Sequence, residues 1–229
     1  MVARDSKSHS RRTRSMRLNP DERAAQIVQK AIVVFSETGF GASTRDLALA
    51  LGVTQPLLYR YFPSKEALIE RVCDEVFVRP WKEEWQEWLS DRSRPIGERL
   101  RRYFKDYATY VTRNDSARLF MFAGLHNNKW VHPLIETLKR KHFVLIAQEL
   151  RHSYRISDPP DQKTFDDEIE LIWATHSSIY YLGVRKWIYG LELPKDLERV
   201  IDIIIDGFLL GAPVALRTLR GEQPDGRGD

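Results

Sequence analysis

Residues 44–62 read TRDLALALGVTQPLLYRYF, and this stretch decides the fold. Ser43 precedes it with Asp46 three residues on, a pair suited to capping a helix that begins there. Leu47, Ala48 and Leu51 then recur at helical spacing, and Gly52 is a natural left-handed stop. Thr54 caps the next helix, with Pro56 in its first turn. Ala48 is small where two helices must touch, Gly52 supplies the turn, and Val53 and Leu58 lock the second helix down. The spacing predicts a helix-turn-helix whose second helix, Gln55 to Phe62, is shaped to enter a DNA major groove. The plainer reading is an ordinary corner between two helices of a bundle.

On the N-terminal side, Ile27, Ala31, Val34 and Phe35 form one face of a helix opening near Asn19-Pro20 and stopped by Gly39 and Gly41. On the C-terminal side, Pro63-Ser64 starts a helix through Leu68, Ile69 and Val72 to about Val78. Pro80 then allows a start that sets Trp81, Trp85 and Trp88 on one face. Pro95 opens a helix through Tyr107, Asn114-Asp115 a short one with Phe120, and Pro133 a long one to about Tyr154. After the break at 157–161, Phe165, Ile169, Trp173, His176 and Tyr180 make a stripe. The last helix, from Pro194, is apolar on most of its circumference and needs partners on two sides. No alternating strand pattern and no internal repeat is found, so the expected class is all-α with about nine helices.

Composition agrees with a folded chain: 229 residues, 42% hydrophobic and 30% charged. Val200 to Leu210 is the longest apolar stretch, and Asp202 and Asp206 interrupt it, so no membrane partner is expected. One cysteine, Cys73, excludes an internal disulfide and suits a reducing cytoplasm; it is expected as a small buried residue. The net charge of +4 is uneven. Arg4, Lys7, Arg11, Arg12, Arg14 and Arg17 crowd into residues 1–18 against Asp5, leaving the remainder slightly acidic. Residues 1–18, which contain no secretory apolar core, are expected to be a basic disordered tail drawn to polyanions. The organisation that follows is that tail, a helix-turn-helix domain over 19–63, a linking helix over 64–78, a helical ligand-binding and dimerisation domain over 79–220, and a frayed end over 221–229.

Residues 22–70 resemble the DNA-binding domain of the TetR (tetracycline-repressor) family through AIVVFSETGF, DLALALGV, TQPLLYRYF and PSKEALIE. The turn between Gly39 and Asp46 is about one residue shorter than the family pattern, leaving Ala42 or Ser43 as the cap. The resemblance implies a homodimeric, ligand-responsive transcription regulator, a repressor in most of the family. Residue chemistry points the same way. Thr54, Gln55 and Pro56 open the recognition helix, and Gln can pair bidentately with adenine. Tyr59, Arg60 and Tyr61 suit phosphates, although one tyrosine, Tyr61 before Tyr59, is a candidate to pack inward. Lys65 opposes its own helix dipole, an arrangement that a phosphate would repay. Thr44 and Arg45 are further phosphate candidates.

All six tryptophans lie beyond residue 76. Phe104, Tyr107, Phe120, Trp173, His176 and Tyr180 come from three inward stripes and are the candidates to line an effector pocket. His142, Glu149 and His152 are weaker candidates. The histidines at 9, 126, 132, 142, 152 and 176 contain no i, i+4 pair, and no HExxH, GxSxG or P-loop pattern occurs, so no metal, cofactor or catalytic residue is expected. The expected partners are double-stranded operator DNA, a small effector and a second copy of the chain. The alternatives are a helical protein-binding adaptor and a helical enzyme without a recognisable motif.

Overall fold

The computed structural model describes residues 19–126 and 129–222; the basic segment 1–18 and residues 223–229 lie outside the described residues. Among those described there is no strand. Three helices come first: α1 (Pro20–Thr38), α2 (Thr44–Leu51) and α3 (Gln55–Tyr61). Each start is set by a local side chain. Asn19 accepts from Glu22 N at 2.8 Å while Glu22 returns to Asn19 N at 3.0 Å, a full capping box. Ser43, not Ala42, caps α2, and Thr54 caps α3. Gly52 closes α2 at φ 67°, ψ 36°, a conformation that costs other residues the Cβ penalty glycine lacks.

Ser64 caps α4 (Lys65–Cys73), which continues through a π turn, Asp74–Val78, as the link to the rest of the chain. Then come α5 (Glu84–Ser90), α6 (Ile96–Val111), α7 (Asn114–His126), α8 (Val131–Leu138), α9 (Val144–Tyr154), α10 (Gln162–Trp187) and α11 (Leu197–Thr218). A second π turn, Lys139–Phe143, joins α8 and α9 into one rod, so ten continuous helices are described. Two starts differ from the spacing argument. Trp81 is not on α5: after α4 the chain must first turn, with Trp81 N bonded to Val78 O at 3.1 Å, and the helix begins three residues later. The last helix begins at Leu197, not Pro194, because Asp196 accepts from Arg199 N at 2.9 Å and caps it there.

Two apolar clusters form. One gathers Trp85, Tyr103, Phe104, Phe143, Ile172 and Ile205 from α5, α6, the α8–α9 rod, α10 and α11. The other holds α1, α2, α3 and α4 together through Phe35, Leu47, Leu51, Leu58 and Leu68, and extends into α7 and α8 through Leu119, Ala123 and Val131. Cys73 belongs to it, 4% exposed, with its thiol pushed up to about 12 by burial and then by Glu70. Such a thiol is unreactive at neutral pH.

Among the described glycines, Gly183 on α10 is the most tightly enclosed. A Cβ there would stand 2.7 Å from the Val111 carbonyl oxygen and 3.3 Å from Ala117 Cβ. Alanine's helix propensity favours the substitution by about 1 kcal/mol, whereas forcing a methyl against backbone costs about 1–3 kcal/mol. Because the obstacle is a backbone carbonyl that cannot swing aside, steric cost wins: Gly183→Ala is expected to destabilise by up to about 2 kcal/mol, a loss of up to several degrees in melting temperature. A calorimetric melting temperature at or above that of the parent chain would show that α10 can slide away from α6 at no cost.

Candidate nucleic-acid interface and apolar cavity

Burial sorts the residues of the corner. Leu47 and Leu51 are 0% exposed, Ala48 and Leu58 3%, so they form the lock between α2 and α3. What remains outside is Thr54, Gln55, Pro56, Tyr59 and Arg60 on α3, all exposed, beside Thr44 and Arg45 at the start of α2. The Thr44 hydroxyl oxygen organises this surface. It accepts from Gln55 Nε2 at 3.1 Å and from the Tyr59 hydroxyl at 3.3 Å. Neither Arg45 nor Arg60 has an ion-pair partner among the described residues. Their charge is therefore uncommitted on a face that carries amide, hydroxyl and guanidinium groups together.

Two candidates stand elsewhere. Tyr61 is half-buried against the Phe35–Leu58 cluster. Lys65 Nζ donates to the Ala42 carbonyl at 2.7 Å, tying the loop before α2 to the start of α4. That bond offsets the penalty of a cation in a first turn, so Lys65 here braces the corner. Lys30 was not singled out by sequence; its Nζ donates to Leu51 O at 3.0 Å, a cation well placed at the C-terminal end of α2.

In the other half, helices α4 to α8 and α10 enclose an apolar cavity of about 280 Å³. Tyr107, Phe120, Trp173, His176 and Tyr180 line it. Phe104 does not: it is fully buried with its ring 4.8 Å from Tyr103. Sequence spacing also missed Phe77, Trp81, Trp85, Tyr110, Leu134 and Ile135, which form further parts of the wall. His142, Glu149 and His152 stay off it. Burial and then Lys141 hold the His142 imidazole down to about 4, and its Nδ1 meets the Tyr103 hydroxyl at 3.0 Å. Glu149 is paired with Arg92 and Arg99, each at 2.8 Å, and His152 is exposed. No cluster of three or more potential metal-ligating side chains occurs among the described residues.

Comparison with known proteins places the corner. Residues 27–72 match the family described as bacterial regulatory proteins, tetR family. They are a tetR-family regulatory domain. Over 85 residues the chain is 32% identical to the class D tetracycline repressor protein of Escherichia coli, a match covering 34% of this chain and 39% of the repressor. The chain thus spans about two-fifths of the length of that relative. It is also 22% identical over 193 residues to the HTH-type transcriptional regulator YvaF of Bacillus subtilis, covering 80% of this chain and 93% of YvaF. A tetR-family transcriptional regulator from Streptomyces coelicolor shares the fold, with TM-score 0.59 and 19% identity over 92% of this chain and 94% of that one.

The tetR-family domain is joined to the cavity wall by α7. One face of α7 carries Phe120 into the cavity, edge-on to Phe77 at 5.9 Å and Tyr180 at 5.2 Å. From the same helix Arg118 reaches the last carbonyls of α1: its guanidinium donates to Ser36 O and, at 3.2 Å, to Glu37 O, and also to Trp187 O of α10 at 3.0 Å. The link through α4 is held as well, because the Tyr110 hydroxyl donates to Val76 O inside the π turn.

Burial and then the neighbouring His142 hold His176 down to about 3. Both imidazoles are therefore neutral in the folded chain, and unfolding frees them to bind protons below their ordinary value of 6.5. The sign follows: the unfolded state takes up more protons, so stability is full above about 6.5 and is lost as pH falls toward the folded values. At pH 5 the loss is about 2 kcal/mol per histidine. Denaturant midpoints at pH 7 and pH 5 should differ accordingly, and His176→Phe should remove about half of the difference. An unchanged difference in that variant would place the acid sensitivity elsewhere.

Proposed function

We infer that this chain is a ligand-responsive DNA-binding transcriptional regulator, a repressor that leaves a palindromic operator when a small, largely apolar or aromatic molecule binds. The observation that carries this reading is the shared cluster. One set of buried side chains holds the helix-turn-helix together and also packs α7 and α8, two helices that wall an apolar cavity. The reading face supports the DNA assignment. Gln55 at the start of α3 is the base-reading residue, with Thr54 and Pro56 beside it. Arg45, Arg60, Tyr59 and Thr44 are the phosphate contacts. Tyr61 and Lys65 act behind them as supports of the corner, each able to add a phosphate contact from its edge. The basic residues within 1–18 add affinity without sequence preference.

The open side of α11 supports a homodimer. Ile203, Leu210 and Val214 are 62%, 80% and 48% exposed, and a Cβ at Gly207 or Gly211 would meet nothing within 4 Å. An apolar helix face with two bare glycines suits close packing against the same face of a second copy. Two-fold symmetry then sets the operator as a near-palindrome. An effector alters DNA binding only by favouring one arrangement of the two heads. Phe120 on α7 and Phe77 on α4 are the wall residues through which it acts, shifting the separation of the two recognition helices. A protein-binding adaptor built on the same corner has no need of uncommitted arginines beside Gln55, and it predicts no salt-dependent affinity for DNA.

Selected operator fragments test the reading. Gln55→Ala is expected to lower affinity for the preferred sequence by about 1–3 kcal/mol and to relax preference at one position. Arg45→Ala should weaken all sequences alike and flatten the salt slope by about one unit. Leu210→Glu should yield monomers by sedimentation and a large loss of operator affinity. Folded variants that bind selected and random DNA equally well, with no dependence on salt, would falsify the DNA reading.

A further inference from the structure

We propose that the cavity takes an uncharged, flat molecule of about two rings carrying a hydroxyl group, and that His176 Nε2 is the group that selects it. The inference rests on the reading of the cavity as the effector site and names the chemistry of its occupant. His176 is 7% exposed, lines the cavity, and its Nε2 is buried without a hydrogen-bond partner. A buried ring nitrogen left unpaired loses the water it would otherwise bind, so the site is completed by whatever pairs with it. Two of the other wall hydroxyls are occupied: Tyr110 donates to Val76 O, and Tyr180 donates to Ala117 O at 3.3 Å. Ser116 Oγ is, like His176 Nε2, buried without a hydrogen-bond partner and is a second polar group an occupant can meet.

Charge, shape and size narrow the occupant. None of the lining residues is Lys, Arg, Asp or Glu, so a carboxylate or phosphate entering would be stripped of water with no counter-charge. Burial holds the imidazole itself neutral at physiological pH. Lys139 places its ammonium over the Trp173 ring at 5.5 Å but is not part of the wall. A neutral imidazole nitrogen donates or accepts according to its tautomer, and a hydroxyl answers either, whereas a ketone or an ether answers only one. The Tyr107 ring lies beside His176, centroids 4.3 Å apart and planes 37° from parallel, and Trp81, Trp85 and Trp173 supply further ring surfaces. A dry apolar cavity of about 150 Å³ already holds benzene, so about 280 Å³ accommodates two rings.

The test uses the full chain and four probes of one shape: naphthol, naphthalene, naphthoate and N-methylquinolinium. Affinity is read by calorimetry and by quenching of tryptophan fluorescence, without operator present. The expected order is naphthol ahead of naphthalene by roughly tenfold, with naphthoate and the quinolinium weaker than both. His176→Phe keeps ring volume and removes the nitrogen; it should bring naphthol and naphthalene within about twofold of each other while naphthalene affinity stays put. His176→Gln, which restores a polar group at a similar reach, should recover the preference for naphthol. A naphthol preference that survives in H176F overturns the proposal. So do failure of naphthol to bind the parent chain, and binding of naphthoate or the quinolinium as tightly as naphthol. Naphthol that binds through His176 and leaves operator affinity unchanged supports this inference and instead sinks the proposed release mechanism.

Discussion

Arg118 donates from one guanidinium to carbonyls at the C-terminal ends of two helices, Ser36 and Glu37 of α1 and Trp187 of α10. Those ends carry the negative pole of each helix and carbonyls that no helical amide reaches, so a planar cation with five donors suits both. The consequence is geometric. Helix α1 is the backbone of the tetR-family domain and α10 a wall of the cavity, and α7, which supplies Arg118, is packed between them. Leu119 and Ala123 of α7 are buried in the domain's own cluster while Phe120 faces the cavity. Remove that helix and the domain loses part of its core as the cavity loses a wall.

The far side of the molecule is fixed by different chemistry. Glu149 is held by Arg92 and Arg99, and Glu168, fully buried, by Arg151 and Arg220. Buried ion pairs contribute little net stability, since desolvation offsets the Coulomb gain, yet each is directional and costly to break. Their effect is to fix register: Arg220 ties the end of α11 to α10, and Arg99 ties α6 to α9. The cavity lies between this pinned side and the tetR-family domain, and its lining holds no Lys, Arg, Asp or Glu. Of the helices walling it, α6 and α10 are thus held by these ion pairs as well as by apolar packing.

Much of this was legible in the chain, for reasons that are local. Ser43, Thr54 and Ser64 each cap a helix through their own side chains, and Gly52 adopts the left-handed turn its position required. Inward stripes were legible too, because a helix face is a matter of period. What period cannot settle is which inward residue meets a void. Phe104 and Tyr107 share one stripe, yet Phe104 is packed solid and Tyr107 opens on the cavity. The π turns at Asp74–Val78 and Lys139–Phe143 left no glycine or proline to mark them. The first is stabilised from outside, by the Tyr110 hydroxyl on Val76 O. Lys65 is the reverse case: its unfavourable place in a first turn was visible, but its partner, the Ala42 carbonyl, exists only once the corner has folded.

The π turn bears on how the two halves communicate. A π turn widens the helix by one residue and leaves a register that neighbouring side chains can shift. The turn that continues α4 contains Phe77, whose ring meets Phe120 of α7 edge-on at the cavity wall, centroids 5.9 Å apart. The two helices that carry the tetR-family domain therefore present one aromatic ring each to the same space. An occupant that separates these rings acts on α4 and α7 together, and it changes the domain's position only to the extent that it prefers one spacing of the rings over another. Affinity alone moves nothing. A tight ligand seated against Trp81 and Trp173, away from this pair, would stabilise the fold and leave the reading heads where they were.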